Sequence, residues 1–510
     1  MKMFTADQMT KRYNKAVSVR RPWLPLWQDV YDLCLPGRRG FFGANEGESK
    51  TDDIYDDTGA QSLQEFANVM VDGIVSSDIF KLMAGSAVDP EEKDDVQNQL
   101  DEVTDFLHEI LRKSNFHEQF FENMLDIGIG TAAMNAEPSG DARYINWESW
   151  PLESYVIDRG PFGQHDGSFR MRNDVRASEV QIAWPRAKIP DELKKLAVQN
   201  PDIKPTFIEF SVRLWSEPEE AYQSGILWLE KSAFILSDLS RGQGSRGSVI
   251  YNWARASGET WGRGPALLAL PSMRTTNFTV ELILENADMH VGGIWKAEND
   301  GVTNYDNIRL TPGTVVTYMP GQRGLEALQP PGSFNVADII LSDQRKNIRE
   351  ALLAEDFSGR GDTPISSNEV SERRIRVSRK AGASVGRIFN EGITKFVHRM
   401  IYLLKQQGIL EMPMIDGSEI DIIAVSPLAR AQKQESIQQK LGFAQSVTGL
   451  MGDSAQMWLN PEPMLKDLAR LFEQPQEYLT TQEQRDEIAK NAATAQQLLQ
   501  EQQQGQPPVP

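Results

Sequence analysis

The segment Gly258-Glu259-Thr260-Trp261-Gly262-Arg263-Gly264-Pro265 separates two parts of the sequence that have different patterns. Before it, residues 142–260 contain short segments rich in Trp, Tyr, Ile and Val between clusters of Gly, Pro and Asp. That pattern is typical of strands in an antiparallel or mixed sheet. After it, apolar residues recur at the spacing of amphipathic helices. The change predicts an α+β protein.

The predicted strands lie at 143–148, 153–158, 167–175, 206–216, 225–237 and 248–254, and a helix pair near 177–200 interrupts them. Ahead of them, the first 35 residues are predicted to be helical, and residues 41–57 are predicted to form a loop. A further helix is predicted to start at Thr58 as its N-cap, because apolar residues recur from Leu63 to Ile74. An amphipathic helical stretch covers 91–126, and its acidic face indicates solvent exposure.

The residues that follow 258–265 predict a helix hairpin with a β tip. One helix is expected over 266–290, with Pro271 kinking it or delaying its start. Residues 291–335 are turn-rich and β-like. A second helix is expected over 336–356, with these apolar residues on one side: Val336, Ile339, Ile340, Ile348, Leu352 and Leu353. Such a hairpin has little core of its own, so packing against copies of itself would stabilise it.

The C-terminal part is predicted to be mainly helical. A glycine-containing loop at 358–364 precedes a long helix over about 367–407, in which Gly382 and Gly386 favour a bend. Gly408 is expected to end this helix, and a short strand is expected over 419–425. Helices then continue to about 503, and a Gln- and Pro-rich tail follows that cannot build a core.

Composition excludes several classes of protein. The chain has 510 residues, a formal net charge of −19 and one cysteine, Cys34, so it cannot form an intrachain disulfide. The N-terminus lacks the apolar region of a signal peptide, and no apolar run is long enough for a membrane-spanning helix. The acidity argues against nucleic-acid binding by phosphate neutralisation over the whole surface. Lighter contact with DNA remains open.

The sequence predicts no enzyme and no cofactor. It has no phosphate-binding P-loop, no His-Glu-x-x-His motif and no paired cysteines, and its five histidines are dispersed. Gly242–Gly247 matches G-x-G-x-x-G, but a predicted strand follows it where a dinucleotide site needs a helix. Residues 128–133 match a variant of that motif and are predicted to be a helix-terminating turn. A nucleotide-binding enzyme using the 242–247 loop remains the alternative.

One basic cluster opens the long helix and consists of Arg373, Arg374, Arg376, Arg379 and Lys380. We expect these residues either to pair with acids on a solvated or inter-subunit face, or to contact nucleic-acid phosphate locally. The acidic surroundings favour the first alternative, because acids repel phosphates.

Five short blocks in order resemble the head-to-tail connector, or portal protein, family of short-tailed, T7-like bacteriophages. The blocks are Trp23-x-x-x-Trp27 leading to Leu35-Pro36; Ile54-Tyr55-Asp56-Asp57-Thr58-Gly59; 258–265 with Ala269-Leu270-Pro271; Ser366-Ser367-Asn368-Glu369-Val370 with Arg373; and Ser426-Pro427-Leu428-Ala429-Arg430-Ala431. The match covers most of the chain. Ser367 and Asn368 depart from the family's usual Ala-Thr.

The resemblance implies a portal architecture assembled as a ring of twelve copies. It implies an α/β wing at 1–264, stem helices at 265–290 and 336–357, a small β-rich clip at 291–335 and a channel loop at 358–368. Residues 369–427 would form the long bent helix and a return strand of the wing. A helical crown would cover 428–503, and 504–510 would be a disordered tail.

The resemblance also implies partners and site residues. DNA would pass through the ring during packaging and ejection, along a channel loop that includes Ser358, Gly359, Arg360, Gly361, Asp362 and Thr363. The terminase large subunit and then a tail adaptor would dock on the clip, for which we predict Asn304, Tyr305, Arg309, Tyr318, Gln322 and Arg323. Major capsid, scaffolding and internal core proteins would be further partners, with no membrane involved.

The expected location is the portal vertex of the virion, after assembly in the host cytoplasm. Another virion scaffold or tail protein remains an alternative, since it would also have a helical, Gln-rich C-terminus. For a channel, the net charge of −19 is compatible with DNA, because a wall that bound phosphates tightly would stall sliding. We therefore expect 336–356 and 358–364 to line a pore of negative or neutral character.

Overall fold

The structure is a computed structural model that describes residues 3–38, 40–42, 51–75, 78–85, 93–141, 143–292, 294–296, 326–328, 334–354, 379–411 and 420–425, with scattered positions in 440–449 and residue 465. The chain divides into two compact units, 1–426 and 427–510. The fold of the first unit is α+β, as predicted. The predicted crown and tail lie almost wholly outside the described residues.

The N-terminal part of the described chain contains five α-helices, and a strand lies between the third and the fourth: α1 Ala6–Arg20, α2 Leu24–Cys34, α3 Thr58–Ile74, α4 Lys93–Lys113 and α5 Phe116–Ile129. Helix α1 begins with a capping box between Thr5 and Gln8. The predicted cap of α3 is wrong by one residue. Asp57 is the N-cap, and the backbone N–H of Thr58 donates instead to Asp56 Oδ1 at 3.1 Å.

The predicted stretch at 91–126 is two helices, because the chain turns after Lys113. There the side chain of Asn115 is occupied by the backbone of Trp147, to which it both donates and accepts, at 2.8 and 2.9 Å.

The described residues contain nine strands between 80 and 252, and all their pairings are antiparallel. In chain order they are β1 Phe80–Ala84, β2 Thr131–Pro138, β3 Ile145–Trp150, β4 Tyr155–Arg159, β5 His165–Arg172, β6 Phe207–Arg213, β7 Ala221–Trp228, β8 Ala233–Arg241 and β9 Ser248–Asn252. A three-stranded sheet has the order β3-β2-β9, and a five-stranded sheet has the order β4-β5-β6-β7-β8. The predicted strand 225–237 is wrong as one element, because a turn near Ser232, which has φ of 45°, divides it into parts of β7 and β8.

The five-stranded sheet is covered by helices on both faces. Met9 and Tyr13 of α1 pack on one face with Ile208 and other apolar residues. Two short helices, α6 Val180–Ala183 and α7 Asp191–Gln199, pack against the face that includes Phe207. Neighbouring residues of a strand point to opposite faces, so Phe207 and Ile208 serve different cores.

Strand β1 belongs to a small sheet that α4 borders. It pairs with β12 Ile420–Ala424, which confirms the strand predicted at 419–425. Along the other edge of β1, side chains of α4 take the place of a strand. Thr104 Oγ1 accepts from Leu82 N at 3.2 Å, Gln97 Oε1 accepts from Ala84 N at 3.1 Å, and Gln97 Nε2 donates to Leu82 O at 3.1 Å.

The helix hairpin is present. Helix α8 spans Pro265–Gly292, β10 Ile294–Lys296 pairs antiparallel with β11 Glu326–Leu328, and α9 spans Phe334–Ala351. Pro271 lies inside α8 and does not delay its start, because Pro265 already provides a favourable first residue. The prediction for α9 is wrong in two respects. The helix ends earlier, before Leu353, which has φ of 57°. Ile339 and Ile340 are also 66% and 44% exposed and do not lie on the buried side.

Within the described residues, the long helix consists of α10 (residues 379–387), a π-helical turn Ile388–Ile393 and α11 Thr394–Gln406, and its predicted start at 367–378 lies outside them. Its predicted apolar stripe is buried from Val385 to Leu404. The irregularity falls at the π turn and not at Gly382 or Gly386. Gly408, with φ of 68°, ends the helix as predicted, and Ile409 N donates to Leu404 O at 3.0 Å.

Candidate functional site: the junction between the sheets and the hairpin

Most of the predicted site residues lie outside the described residues. This holds for the channel-loop residues 358–363, for all six clip residues from Asn304 to Arg323, and for Arg373, Arg374 and Arg376. Arg379 and Lys380 lie exposed at the start of α10. The structure therefore leaves these assignments as predictions, and the sites that it does describe lie where the sheets meet the hairpin.

Two glycine pairs form the closest backbone contact of this junction. A Cβ on Gly262 would overlap the carbonyl oxygen of Gly130, and a Cβ on Gly264 would overlap that of Gly128. The crossing is fixed by hydrogen bonds, since Gly264 N donates to Ile129 O at 2.8 Å and Gly262 N to Thr131 Oγ1 at 2.7 Å. The segment 258–265 thus joins the end of α5 to the start of α8. Glycine is required in both chain segments that cross here.

Trp261 fills the space beside this crossing. Its side chain is fully buried, with ring centroids 4.8 Å from Trp27 and 5.7 Å from Tyr155. Edge-to-face contact between such rings adds to the stabilisation from burial alone. Trp261 therefore connects α2, β4 and the start of α8.

A buried polar chain continues from the crossing to the long helix. Thr131 Oγ1 donates to Asn252 Oδ1 at 2.8 Å, and Asn252 Nδ2 contacts both His165 Nε2 at 3.2 Å and Glu391 Oε2 at 3.3 Å. Glu391 lies in the π turn, and π turns in α-helices frequently occur at functional positions. This network links the backbone N–H of Gly262 through side chains of β2, β9 and β5 to the long helix.

His165 is neutral in this network. Its Nδ1 faces the carbonyl oxygen of Ile250 at 3.3 Å and must donate, which leaves Nε2 as the acceptor for Asn252. Burial, and after it the nearby cations Arg246, Arg255 and Lys395, lower the pKa of His165 to about 3. The imidazole therefore serves as a fixed structural acceptor at neutral pH.

Because of this lowered pKa, we expect His165 to make the fold less stable as the pH falls from about 6.5 towards 3. In that window the unfolded chain binds a proton that the folded chain does not, so the free energy of unfolding rises with pH. His165→Gln should be less stable than wild type at pH 7.5, and the difference should shrink at pH 5. Urea unfolding at both pH values measures it.

The exposed His117 supplies the matched control, because His117→Gln removes an imidazole that is not buried. Its unfolding free energy should track that of the wild type at both pH values. An unchanged gap between wild type and His165→Gln at pH 7.5 and pH 5 would contradict the neutral state of His165.

The block around Asp56 connects both hairpin helices to α3. Arg345 of α9 contacts the buried Asp56 carboxylate through Nε at 2.9 Å and Nη2 at 2.7 Å. Asn277 of α8 accepts from the backbone N–H groups of Tyr55 and Asp56 at 2.7 and 3.1 Å. The Arg345 side chain is 41% exposed and the Asp56 side chain 4%, so this half-buried pair connects α9 to the start of α3 at the surface of the junction.

Cys34 and Met273 add an apolar contact between α2 and α8. Their sulfur atoms are 3.3 Å apart, and Cys34 is buried. Burial raises the pKa of the Cys34 thiol to about 12, so the thiol is unreactive while the contact holds. Arg274 and Asp29 form an ion pair between the same two helices.

The glycine loop at 242–247 is a packing element. Strand β9 begins directly after it, which confirms the predicted strand and leaves no helix N-terminus for a phosphate. Gly244, with φ of 79°, passes so close to the His398 carbonyl that a Cβ would overlap it. Arg399 Nη1 donates to Gly244 O at 3.3 Å and its Nη2 donates to Ala136 O at 3.0 Å.

Several apolar side chains of the hairpin are in contact with solvent. Among them, the side chain of Phe278 is 58% exposed, that of Leu284 49% and that of Ile339 66%. Within the described ranges, no group of three or more His, Cys, Asp or Glu residues could hold a metal ion. A search of those ranges also finds no helix that is long and apolar enough to cross a membrane.

An α+β unit that contacts a helix hairpin through close glycine crossings, with apolar side chains of that hairpin exposed, is typical of a structural protein that assembles with other protein chains. The family model for bacteriophage head to tail connecting proteins matches residues 6–479, and the chain belongs to that family. It is a head-tail connector of the portal type and a component of the phage virion, and the family is structural rather than enzymatic.

The chain is similar to a probable portal protein of Bordetella phage BPP-1, with 22% identity over 490 residues that cover 87% of this chain and 83% of the relative. Two solved structures are also similar at 11% identity. One is a chain from the virion of a native gene transfer agent particle, which covers 78% of this chain and 92% of its own length with a TM-score of 0.36. The other, from the neck of an empty particle of that kind, covers 81% and 94% with a TM-score of 0.37.

Proposed function

We propose that the chain forms a closed ring, of twelve copies, through which double-stranded DNA passes during packaging and ejection at one capsid vertex of a short-tailed, T7-like phage. The terminase large subunit and then the tail adaptor dock on the clip, 291–335. Major capsid, scaffolding and internal core proteins contact other parts of the ring as it assembles in the host cytoplasm. Membership of the connector family is the starting point of this proposal.

The observation that carries the ring is the exposure of apolar residues on the hairpin. Helices α8 and α9 pack against each other, yet Phe278, Leu284 and Ile339 remain about half or more exposed. Several large apolar side chains exposed on one supersecondary element favour an interaction surface there. A ring with cyclic symmetry covers such residues by repeating one heterologous contact around the axis.

The charge of the hairpin supports a channel along which DNA slides. From 265 to 292 the sequence has Arg274 against Glu281, Glu285 and Asp288. Over 338–351, three acids and three bases cancel: Asp338, Asp343 and Glu350 against Arg345, Lys346 and Arg349. A wall with this balance offers few fixed cations to phosphates, and so resists stalling.

The boundaries of the parts follow from the same proposal. Residues 1–264 are the wing, 265–290 and 336–357 the stem, and 358–368 the channel loop. Residues 369–427 return to the wing, 428–503 form the crown and 504–510 the disordered tail. The Arg373–Lys380 cluster pairs with acids of neighbouring copies.

Introducing charge on the exposed hairpin tests the ring. We expect Leu284→Asp combined with Ile339→Asp to convert rings into single chains, because burying two unpaired carboxylates at every contact is costly. Native mass spectrometry and negative-stain microscopy measure the copy number. Far-ultraviolet circular dichroism should match that of the wild type, since neither side chain is buried in the single chain.

Val198 provides the control, because it is 83% exposed on α7, away from the hairpin. Val198→Asp should leave rings intact. If wild type remains a single chain under assembly conditions, or if the double variant still forms rings, the proposed role of the hairpin is wrong.

A further inference from the structure

Four cations gather around His165 at the surface of the sheets. Arg246 donates through Nη1 to the His165 carbonyl at 2.9 Å, and Arg255 Nη1 lies 3.4 Å from His165 Nε2. Lys395 is near enough to lower the pKa of His165 after burial and the two arginines. Arg213 is near Arg246, whose pKa is lowered mainly by burial and also by Arg213. We call Arg213, Arg246, Arg255 and Lys395 the cation cluster.

The cation cluster has more positive charge than its neighbours neutralise. Across the described residues, none of its four members forms an ion pair with a carboxylate. Glu220 and Glu391 are close enough to affect these cations, whereas Asp166 is already occupied by Arg12 at 2.9 Å. The cation cluster is therefore a positive patch in a chain whose net charge is −19.

Arg246 shows that the excess lies partly beneath the surface. It is only 7% exposed, and its Nε and Nη2 atoms have no hydrogen-bond partner in the part of the chain that the structure describes. Leaving a buried guanidinium partly unsatisfied is costly, and negative charge brought to the surface above Arg246 would stabilise its charged form.

Two exposed aromatic rings border the cation cluster. Phe162 is 82% exposed and Trp215 is 43% exposed, with ring centroids 5.8 Å apart, and the Arg213 guanidinium lies 4.0 Å above the Trp215 ring. Trp215 is held in place because its Nε1 donates to Asp166 Oδ1 at 2.7 Å. Aromatic residues combined with arginine are enriched in protein–protein interfaces, which favours an acidic protein partner over duplex phosphate.

A complementary surface exists on α4 of the same chain. Asp95, Glu102 and Asp105 are exposed, and their spacing of seven and three residues places them along one face. Asp101 and Glu109 have Lys81 and Lys113 as partners, but none of these three acids forms an ion pair among the described residues. We call Asp95, Glu102 and Asp105 the acidic stripe.

We propose that the cation cluster of one copy binds the acidic stripe of the next copy, as a second contact between subunits beyond the hairpin. No ion pair joins the two surfaces within the described parts of one chain, and a heterologous ring contact requires two different surfaces on every subunit. The contact supplies the carboxylates that the cation cluster lacks. This inference rests on the proposed ring.

Charge reversal with rescue tests the contact. The cluster variant is Arg213→Glu with Lys395→Glu, and the stripe variant is Glu102→Lys with Asp105→Lys. Each variant alone should assemble about tenfold or more weakly at low salt, because like charges then face each other. An equal mixture should restore assembly, since each altered surface then meets an opposite charge and the two variants alternate around the ring.

Arg186→Glu with Lys194→Glu is the control. It makes the same change in net charge as the cluster variant, but at exposed positions on the α6–α7 side of the sheet. This control variant should assemble as the wild type does. Sedimentation velocity and native mass spectrometry measure the rings, and circular dichroism confirms that each variant is folded. Wild-type rings are measured first, so that failure of the ring itself is separated from failure of this contact.

Three results would overturn the contact while the ring stands. The reversed variants could form rings as well as the wild type does. The mixture could fail to recover although each variant is folded, which would exclude the acidic stripe as the partner. Lastly, the cluster variant could still form rings but lose binding to a duplex DNA probe, which would show that the cation cluster contacts DNA phosphates.

Discussion

Gly264→Ala is expected to prevent native folding, or to lower the free energy of unfolding by more than about 4 kcal/mol. The added methyl group would overlap the Gly128 carbonyl oxygen, and backbone atoms on both sides of the crossing are held by hydrogen bonds. Relief would require α5 and the start of α8 to separate, which would also disturb Trp261. Soluble yield and urea unfolding followed by circular dichroism measure the effect.

Gly386→Ala is the matched control for this substitution. Gly386 is in α10, and no atom lies within 4 Å of the position that its Cβ would occupy. Alanine there should be neutral or raise the unfolding free energy by up to about 1 kcal/mol, because it is the better helix former. Similar stability for Gly264→Ala and Gly386→Ala would show that the backbones do not cross as described.

Trp261→Ala is expected to lower the free energy of unfolding by about 3–5 kcal/mol. The indole is fully buried between Trp27 and Tyr155, and the surrounding helices and strands can collapse into the vacated space only in part. Urea unfolding at 25 °C, followed by far-ultraviolet circular dichroism, avoids the fluorescence change that loss of a tryptophan causes.

Trp261→Phe should cost much less, about 1–2 kcal/mol, because an aromatic ring still contacts Trp27. The Trp261 Nε1 has no hydrogen-bond partner among the residues that the structure describes, so phenylalanine removes no hydrogen bond. Equal losses for the alanine and phenylalanine variants would contradict the packing role of the ring.

The sequence predicted long periodic elements well and missed short buried strands. Residues 131–138, Thr-Ala-Ala-Met-Asn-Ala-Glu-Pro, have few β-branched residues, and the preceding Gly-x-Gly indicated only a turn. That turn is present at Gly130, but β2 forms because β3 and β9 pair with both of its edges. Tertiary pairing outweighed local propensity here, and β1 was missed for the same reason.

The junction shows why a site can be present in a sequence and still be invisible in it. The blocks around Asp56 and Trp261 stood out through their resemblance to a family, but the resemblance did not indicate what they contact. Thr131 and Asn252 are 121 positions apart, and Asn252 and Glu391 are 139 apart. No local spacing rule reaches across such separations, so only the folded chain shows that they form one network.

The side chains of α4 that lie along β1 limit the addition of foreign strands when many copies of the protein are close together. An assembly that gathers many copies at one vertex raises the local concentration of open strand edges, which are templates for aggregation. On β1, Thr104 and Gln97 already occupy the backbone groups of Leu82 and Ala84. A foreign strand therefore cannot pair with this edge of β1, and growth in both directions, which an amyloid-like stack needs, is blocked at one end.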